Sequence, residues 1–514
     1  MIFIGLAAFG AACSSSSGST GDGGASDTGA DVVVRREGIL FGRLAEAGGT
    51  TVIGDATLSA AGVEAKTNNQ GFFALKALPS GQEVMLKVTA TGYAPAVKFV
   101  TIPSEGSSFV QLSMLKWGAT TTFDVTVGGS ISFGGASVTI PANAIDATGQ
   151  VRINLGTLDA SDPGQLSGFP GNFRTNAGGL LESFGAIVVE ALDAAGNVVN
   201  LRAGQNAAAV IPVTSLSTTI PLWRFDTTAG TWTAQGTLTC TGGSCSSSIP
   251  SLGWWNADQV METTCLQVCA QNSSGRTAAG VSLEAQGADY NGTSYGSTGL
   301  DGCACLNVKR NANVQIYAIT SGGRVGPVAK ATASNNLQCS AGATSCDKVT
   351  PNLVVETPKF QGILTWTSTP RDLDSHFTGP CPAPGDAGDN SCTGRFHIYF
   401  SSRGILTQSP FAYLDTDETG GYGPEITSLG RCTSGIYRYF IRRYSSDGPI
   451  ESSLAQTRIL LPNNNVVEKS VPTVNPTDQR NWIVGELTCT SDNCDCTWRD
   501  IDTFVDDTSA EAAP

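Results

Sequence analysis

Val97-Lys98-Phe99-Val100-Thr101-Ile102 is the stretch that decides the fold. Strand-forming side chains alternate within six residues, and Pro103 ends the run. A period of two sends successive side chains to opposite faces of a strand. Leu283-Glu284-Ala285 repeats the pattern far along the chain, and Gly, Asn, Ser and Pro break up such runs throughout. No amphipathic stretch of about fifteen residues with helix caps emerges. The expected class is all-β, arranged as tandem β-sandwich modules.

The 514 residues suggest three or four domains at roughly 150 residues each. A hydrophobic content of 40% supplies several cores, which argues against wholesale disorder. The net charge of −14, with no Lys/Arg cluster to offset it, disfavours nucleic acid as a partner. Two uses of that acidity stay open: solubility of an exported protein, or binding of cations.

Ile2–Ala12 is an apolar run too short to span a bilayer. It ends in Gly10-Ala11-Ala12-Cys13 before a Ser/Gly-rich stretch. This resembles a bacterial lipoprotein signal, in which small residues admit the peptidase and the cysteine thiol receives the lipid. The resemblance implies a signal over 1–13, lipidation of Cys13, and anchoring to the outer membrane or cell surface. An ordinary secretory signal, giving a periplasmic or secreted protein, is the other reading; both export the chain. Residues 14–36 read as a flexible tether that lifts the first module off a membrane.

Setting Cys13 aside leaves 14 of the 15 cysteines, all after residue 239. They fall into local groups: Cys240 and Cys245; Cys265 and Cys269 with Cys303 and Cys305; Cys339 and Cys346; Cys381 and Cys392; and Cys432 with Cys489, Cys494 and Cys496. An exported, oxidising setting favours disulfides, making the C-terminal half disulfide-rich. A zinc site at Cys265, Cys269, Cys303 and Cys305 competes for the same spacing.

Within 37–116, Thr67-Asn68-Asn69-Gln70-Gly71-Phe72-Phe73, Leu78-Pro79-Ser80-Gly81 and Thr91-Gly92-Tyr93-Ala94-Pro95 punctuate the strands. These turns resemble those of the carboxypeptidase regulatory-like domain, a non-catalytic seven-stranded sandwich of transthyretin type. The resemblance implies transthyretin- or immunoglobulin-like modules, with Phe72 and Tyr93 filling the core. Residues 117–258, with Pro221-Leu222-Trp223 and Trp254-Trp255-Asn256, are similar to the region following that domain in cartilage intermediate layer proteins. Trp254 and Trp255 are either packing residues or a platform for stacking a sugar. Residues 259–351 repeat the first design, with Thr298-Gly299-Leu300-Asp301-Gly302-Cys303 standing where Thr67–Phe72 stood. Disulfides there replace part of the aromatic core, each worth on the order of 2–4 kcal/mol. Residues 358–500 look like a β-sandwich domain of bacterial surface proteins, marked by Asp372-Leu373-Asp374-Ser375-His376 and by Asp415-Thr416-Asp417 followed by Gly423-Pro424-Glu425. Residues 501–514 read as a frayed acidic tail.

Candidate chemistry concentrates in that last module, which holds both histidines, His376 and His397. Asp372, Asp374 and His376 share one strand face by parity. With His397 on a neighbouring strand, and with Asp415, Asp417 and Glu425, they form a candidate metal set. Oxygen-rich loops suit Ca²⁺, whereas His with Asp suits a transition metal. The competing reading has these groups satisfying one another. Gly292-Thr293-Ser294-Tyr295-Gly296 matches G-x-S-x-G, but it is expected in a β-turn and not at a strand–helix elbow. No H-E-x-x-H and no P-loop is present. The expectation is a non-enzyme: a scaffold or adhesion protein meeting protein or glycan at the cell surface. A carbohydrate- or Ca²⁺-binding accessory protein is the alternative, followed by a hydrolase with an unrecognised site in 358–500.

Overall fold

The computed structural model describes residues 37–103, 107–272, 275–320, 323–337, 347–355, 358–382, 392–415, 417–463, 465–475 and 477–506. Cys13, Cys339, Cys346, the tether 14–36 and residues 507–514 lie outside the described residues. The regular structure of the described residues is almost entirely strand, with a four-residue α-helix at Pro163–Leu166 and two short 3-10 turns.

Around Val97–Ile102 the alternation becomes a seven-stranded sandwich. Glu37–Glu46 runs antiparallel to Phe72–Pro79 and parallel to Ser107–Met114. The facing sheet orders Val63–Lys66, Thr57–Ala60, Glu83–Thr89 and Ala96–Thr101. Leu40, Leu44, Phe73, Leu75 and Leu86 fill the space between. Phe73, not Phe72, is the core ring. Adjacent residues of a strand face opposite ways, so Phe72 looks out of the sandwich and packs with Ile363 and Ile426 of the last module. Tyr93 is only partly buried, at the margin of the core. The turn before Phe72 needs its glycine: Gly71 has φ +78°, and a Cβ there would lie 2.5 Å from the carbonyl oxygen of Leu44.

Residues 263–354 repeat this topology. Thr263–Gln271 runs antiparallel to Cys303–Lys309 and parallel to Asp347–Lys348 and Leu353–Val354. Gly302 takes φ +74°, and its carbonyl accepts from Ala270 as that of Gly71 accepts from Leu44. The hydroxyls of Thr67 and Thr298 each accept a backbone N–H, from Ala56 and Val281. Cys265 pairs with Cys305 and Cys269 with Cys303, so disulfides and not zinc thiolates occupy this sheet.

Between these two, an eleven-stranded sheet covers 119–260. Its inner face holds Val138, Ile153, Leu155, Ile187, Ile211 and Trp255, and Cys240–Cys245 closes one hairpin. The last module is two five-stranded sheets over Phe360, Phe377, Tyr437, Tyr439 and Trp482. Cys381–Cys392, Cys432–Cys494 and Cys489–Cys496 lie within it. Residues 501–505 are not tail: the strand Cys496–Val505 continues through them, with Phe504 opposite Trp482.

The modules share apolar cores at their seams. Ala94 and Val97 of the first sandwich join Phe169, Phe173, Trp223, Trp232 and Trp254 of the middle region in one cluster. Ile39, Phe41, Phe72 and Phe109 join Ile319 of the third module and Ile363 and Ile426 of the last in another. Polar contacts border these clusters. Ser108 Oγ lies 2.9 Å from Ser282 Oγ, Ser107 Oγ donates to Gln361 Oε1, and Lys309 Nζ pairs with Glu182 at 2.8 Å.

Candidate functional site

Strand parity builds the first half of the site. Leu373–Pro380 lies between Arg395–Ile398 and Gly435–Arg443, and Asp374 and His376 alternate along it after Asp372. All three are buried; Asp372 is 8% exposed and Asp374 only 1%. The loop after Ala412–Leu414 supplies the second half. It returns Asp417 so that carboxylate oxygens of Asp372, Asp374 and Asp417 lie within 4.8 Å of one another.

Neighbouring carboxylates are tied into the fold by at least one oxygen. Asp415 Oδ1 accepts from the Ile426 N–H at 2.9 Å. Glu425 Oε2 accepts from Ser375 at 2.6 Å and its Oε1 from Glu418 at 3.1 Å, so Glu425 ties one sheet to the other. Asp372 Oδ1 and Asp374 Oδ2, by contrast, are buried with no hydrogen-bond partner among the described residues.

The histidines form a separate unit. His376 Nδ1 and His397 Nε2 share a hydrogen bond of 2.8 Å. The His376 ring stacks on Tyr399 and Phe440, at 5.5 and 4.6 Å between centroids. Among the described residues, neither histidine belongs to a group of three or more whose ligand atoms converge within 4.8 Å. The single metal set expected from sequence is thus divided into an acid triad, a histidine pair and the structural carboxylates Asp415 and Glu425. Parity places side chains on a face; only the loop path decides which of them meet. Cys432, Cys489 and Cys496 also converge, but as disulfide sulfurs and not as thiolates.

Burial, followed by the Asp372 and Asp417 charges, pushes Asp374 up to about 8, with Arg442 opposing. Burial and Asp417 push Asp372 up to about 6, with Arg371 opposing. An unfolded aspartate titrates near ~3.9. From about pH 4 to about pH 8 the folded protein therefore holds a proton on Asp374 that the unfolded chain releases, and stability from this group falls as pH rises. His376, pushed down by burial and His397, acts in the opposite sense below its ordinary 6.5. Lys98, pushed down to about 7 by burial, opposes above that pH. The measurable quantity is accordingly a difference. Between pH 6.5 and 8 in chelator, wild type is expected to lose about 1.5–2 kcal/mol more than Asp374→Asn in denaturant melts. Parallel profiles would contradict the buried, proton-holding Asp374.

Trp254 and Trp255 do not form a stacking platform, because both indoles are buried. Trp254 donates its Nε1–H to the Pro95 carbonyl at 3.3 Å across the first seam. Trp255 lies inside the middle sheet and donates to Ser251 at 2.9 Å. Gly292–Gly296 is not a turn: Thr293–Ser297 is a strand paired with Ser282–Gly287, and the Ser294 hydroxyl donates to the Asn307 carbonyl. A nucleophile elbow is absent there.

Sequence reading missed a cavity of about 620 Å³ where the first three modules meet. Arg43, Glu83, Lys98, Arg174, Glu284 and Tyr295 contribute to its walls. Lys98 Nζ donates to the carbonyls of Ser167 and Phe169, at 2.8 and 2.5 Å. Arg174 forms a two-bond fork with Glu83, and Arg324 pairs with Glu284 at 2.7 Å. Contributions from three separate modules leave no local motif to find; the only hint was a lysine within a strand of apolar neighbours.

No family model matches the chain. Among solved structures, the BcpA major pilin subunit of Bacillus cereus aligns at 9% identity and TM-score 0.16, over 62% of this chain and 100% of its own. The SpaD major pilin of Corynebacterium diphtheriae aligns at 11% and 0.15, over 57% and 91%. The Bacillus anthracis TIE protein aligns at 10% and 0.15, over 59% and 49%. Nothing about the function of this chain follows from likenesses at that level.

Proposed function

We propose that the chain is a non-catalytic, exported scaffold whose β-sandwich modules present surfaces to protein or glycan at the bacterial cell surface, held by a lipid on Cys13. The observation that carries this reading is the pair of apolar clusters that run across module boundaries. Domains joined through large apolar seams move little relative to one another, whereas polar contacts leave them mobile. A rigid body of this kind suits display and force-bearing contact. Six disulfides among the described residues support an oxidising location.

Fractionation of cells expressing the full chain tests it. The protein is expected in the membrane fraction, degraded by protease added to intact cells, and unreactive to maleimide until reduced. Cys13→Ala is expected to release it in soluble form. A cytosolic protein with freely reactive thiols would overturn the reading.

A carbohydrate-binding accessory role is the second reading, favoured by the cavity at the junction of three modules. Glycan-array binding that is lost in Tyr295→Ala, with an unchanged melting temperature, would select it over the scaffold reading.

A further inference from the structure

We propose that Asp372, Asp374 and Asp417 form a calcium site, and that the ion fastens the last sandwich to the first. The three carboxylates converge within 4.8 Å. Oxygens bound to one Ca²⁺ at 2.3–2.6 Å lie no more than ~5 Å apart, so a single ion satisfies this spacing. The donors are all hard oxygens, which select Ca²⁺ over the softer transition metals. Mg²⁺ fits less well, since it demands near-ideal octahedral geometry and keeps its waters.

A second observation points to a ligand independently of the acidity. Asp374, which gives the cluster a carboxylate oxygen, is only 1% exposed, and its Oδ2 has no hydrogen-bond partner among the described residues. Asp372 Oδ1, on a residue 8% exposed, is likewise without a hydrogen-bond partner among the described residues. Native folds rarely leave buried carboxylate oxygens unpaired, because desolvation then goes uncompensated. Glu425, packed beside them, shows how the same fold treats a carboxylate it uses for structure: backbone N–H groups satisfy both of its oxygens.

The fastening follows from what else holds the Asp417 loop. Gln70 Nε2 of the first sandwich donates to the Asp417 carbonyl at 2.8 Å. The Asn69 backbone lies near the neighbouring Glu418 carboxylate and favours its ionised form. The turn Thr67–Phe73 thus rests on a loop that the ion would clamp to the strand bearing Asp374. Removing the ion is expected to loosen that loop and, with it, the seat of the first sandwich.

Titration calorimetry of the metal-stripped full chain with CaCl₂ tests the site, and hydrogen exchange tests the clamp. One Ca²⁺ per chain is expected, together with a saturable rise in melting temperature and at least fivefold slower exchange in 67–73. Asp374→Asn and Asp417→Asn are each expected to weaken binding at least tenfold and to abolish the exchange effect. Wild-type protein giving neither heat nor a melting shift with Ca²⁺ would overturn the site, whatever the variants do. Unchanged affinity in both variants, folded by circular dichroism, would likewise overturn it. Calcium binding without slower exchange in 67–73 would overturn the clamp.

Discussion

Trp254→Ala is expected to destabilise the chain by about 3–5 kcal/mol, the range for emptying a buried tryptophan site. The indole is 3% exposed and is packed with Ala94 and Val97 of the first sandwich and with Trp223 of the middle region. Truncation removes that apolar contact and leaves the Pro95 carbonyl without its donor. Because the residue stands on a seam, the expected calorimetric trace has a distinct lower transition for the first sandwich in place of a concerted melt. A surface stacking residue would behave otherwise, with stability unchanged within about 0.5 kcal/mol and only ligand affinity lost. That second outcome would refute the buried seam.

Glu486→Ala is expected to cost the last sandwich about 3–5 kcal/mol, through loss of the buried carboxylate paired with Arg438. The strands Gly435–Arg443, Asn481–Cys489 and Cys496–Val505 bring Arg438, Glu486 and Arg499 into direct cross-strand register. Arg438 donates to Glu486 Oε1 from Nη2 at 2.7 Å and from Nε at 3.1 Å, and Arg499 donates to Oε2 at 2.5 Å. The glutamate side chain is 2% exposed and Arg438 is 13%, whereas Arg499 is 67% exposed. Only the first pair is dry enough for its loss to matter. Arg499→Ala is therefore expected to cost no more than ~1 kcal/mol, and Glu486→Gln an intermediate amount. Equal effects from Arg438→Ala and Arg499→Ala in denaturant melts would refute this asymmetry.

Alternation was legible wherever local chemistry sets the backbone. Val97–Ile102 and the Gly71 turn each carry their instruction within a few residues, because strand pleating and positive φ are local demands. The equivalence of Thr67–Phe72 and Thr298–Cys303 was legible for the same reason. Parity also put Asp374 and His376 two residues apart on one strand, Leu373–Pro380. What parity left open was the company those side chains keep: it paired the histidines with the acids, but the fold gives His376 to His397 and gives Asp374 to Asp417.

Tertiary structure decided every question that depends on a second module. Phe72 and Phe73 are chemically alike, yet one fills a core and the other a seam, since burial on the outer face depends on what packs there. Trp254 reads as a candidate ligand platform until the Pro95 carbonyl closes over it. Lys98 shows the division most plainly. The sequence around it determines a strand, because alternation survives one polar residue. Its burial against Ser167 and Phe169 comes from a segment about seventy residues away in the middle region, and no local pattern records such a contact.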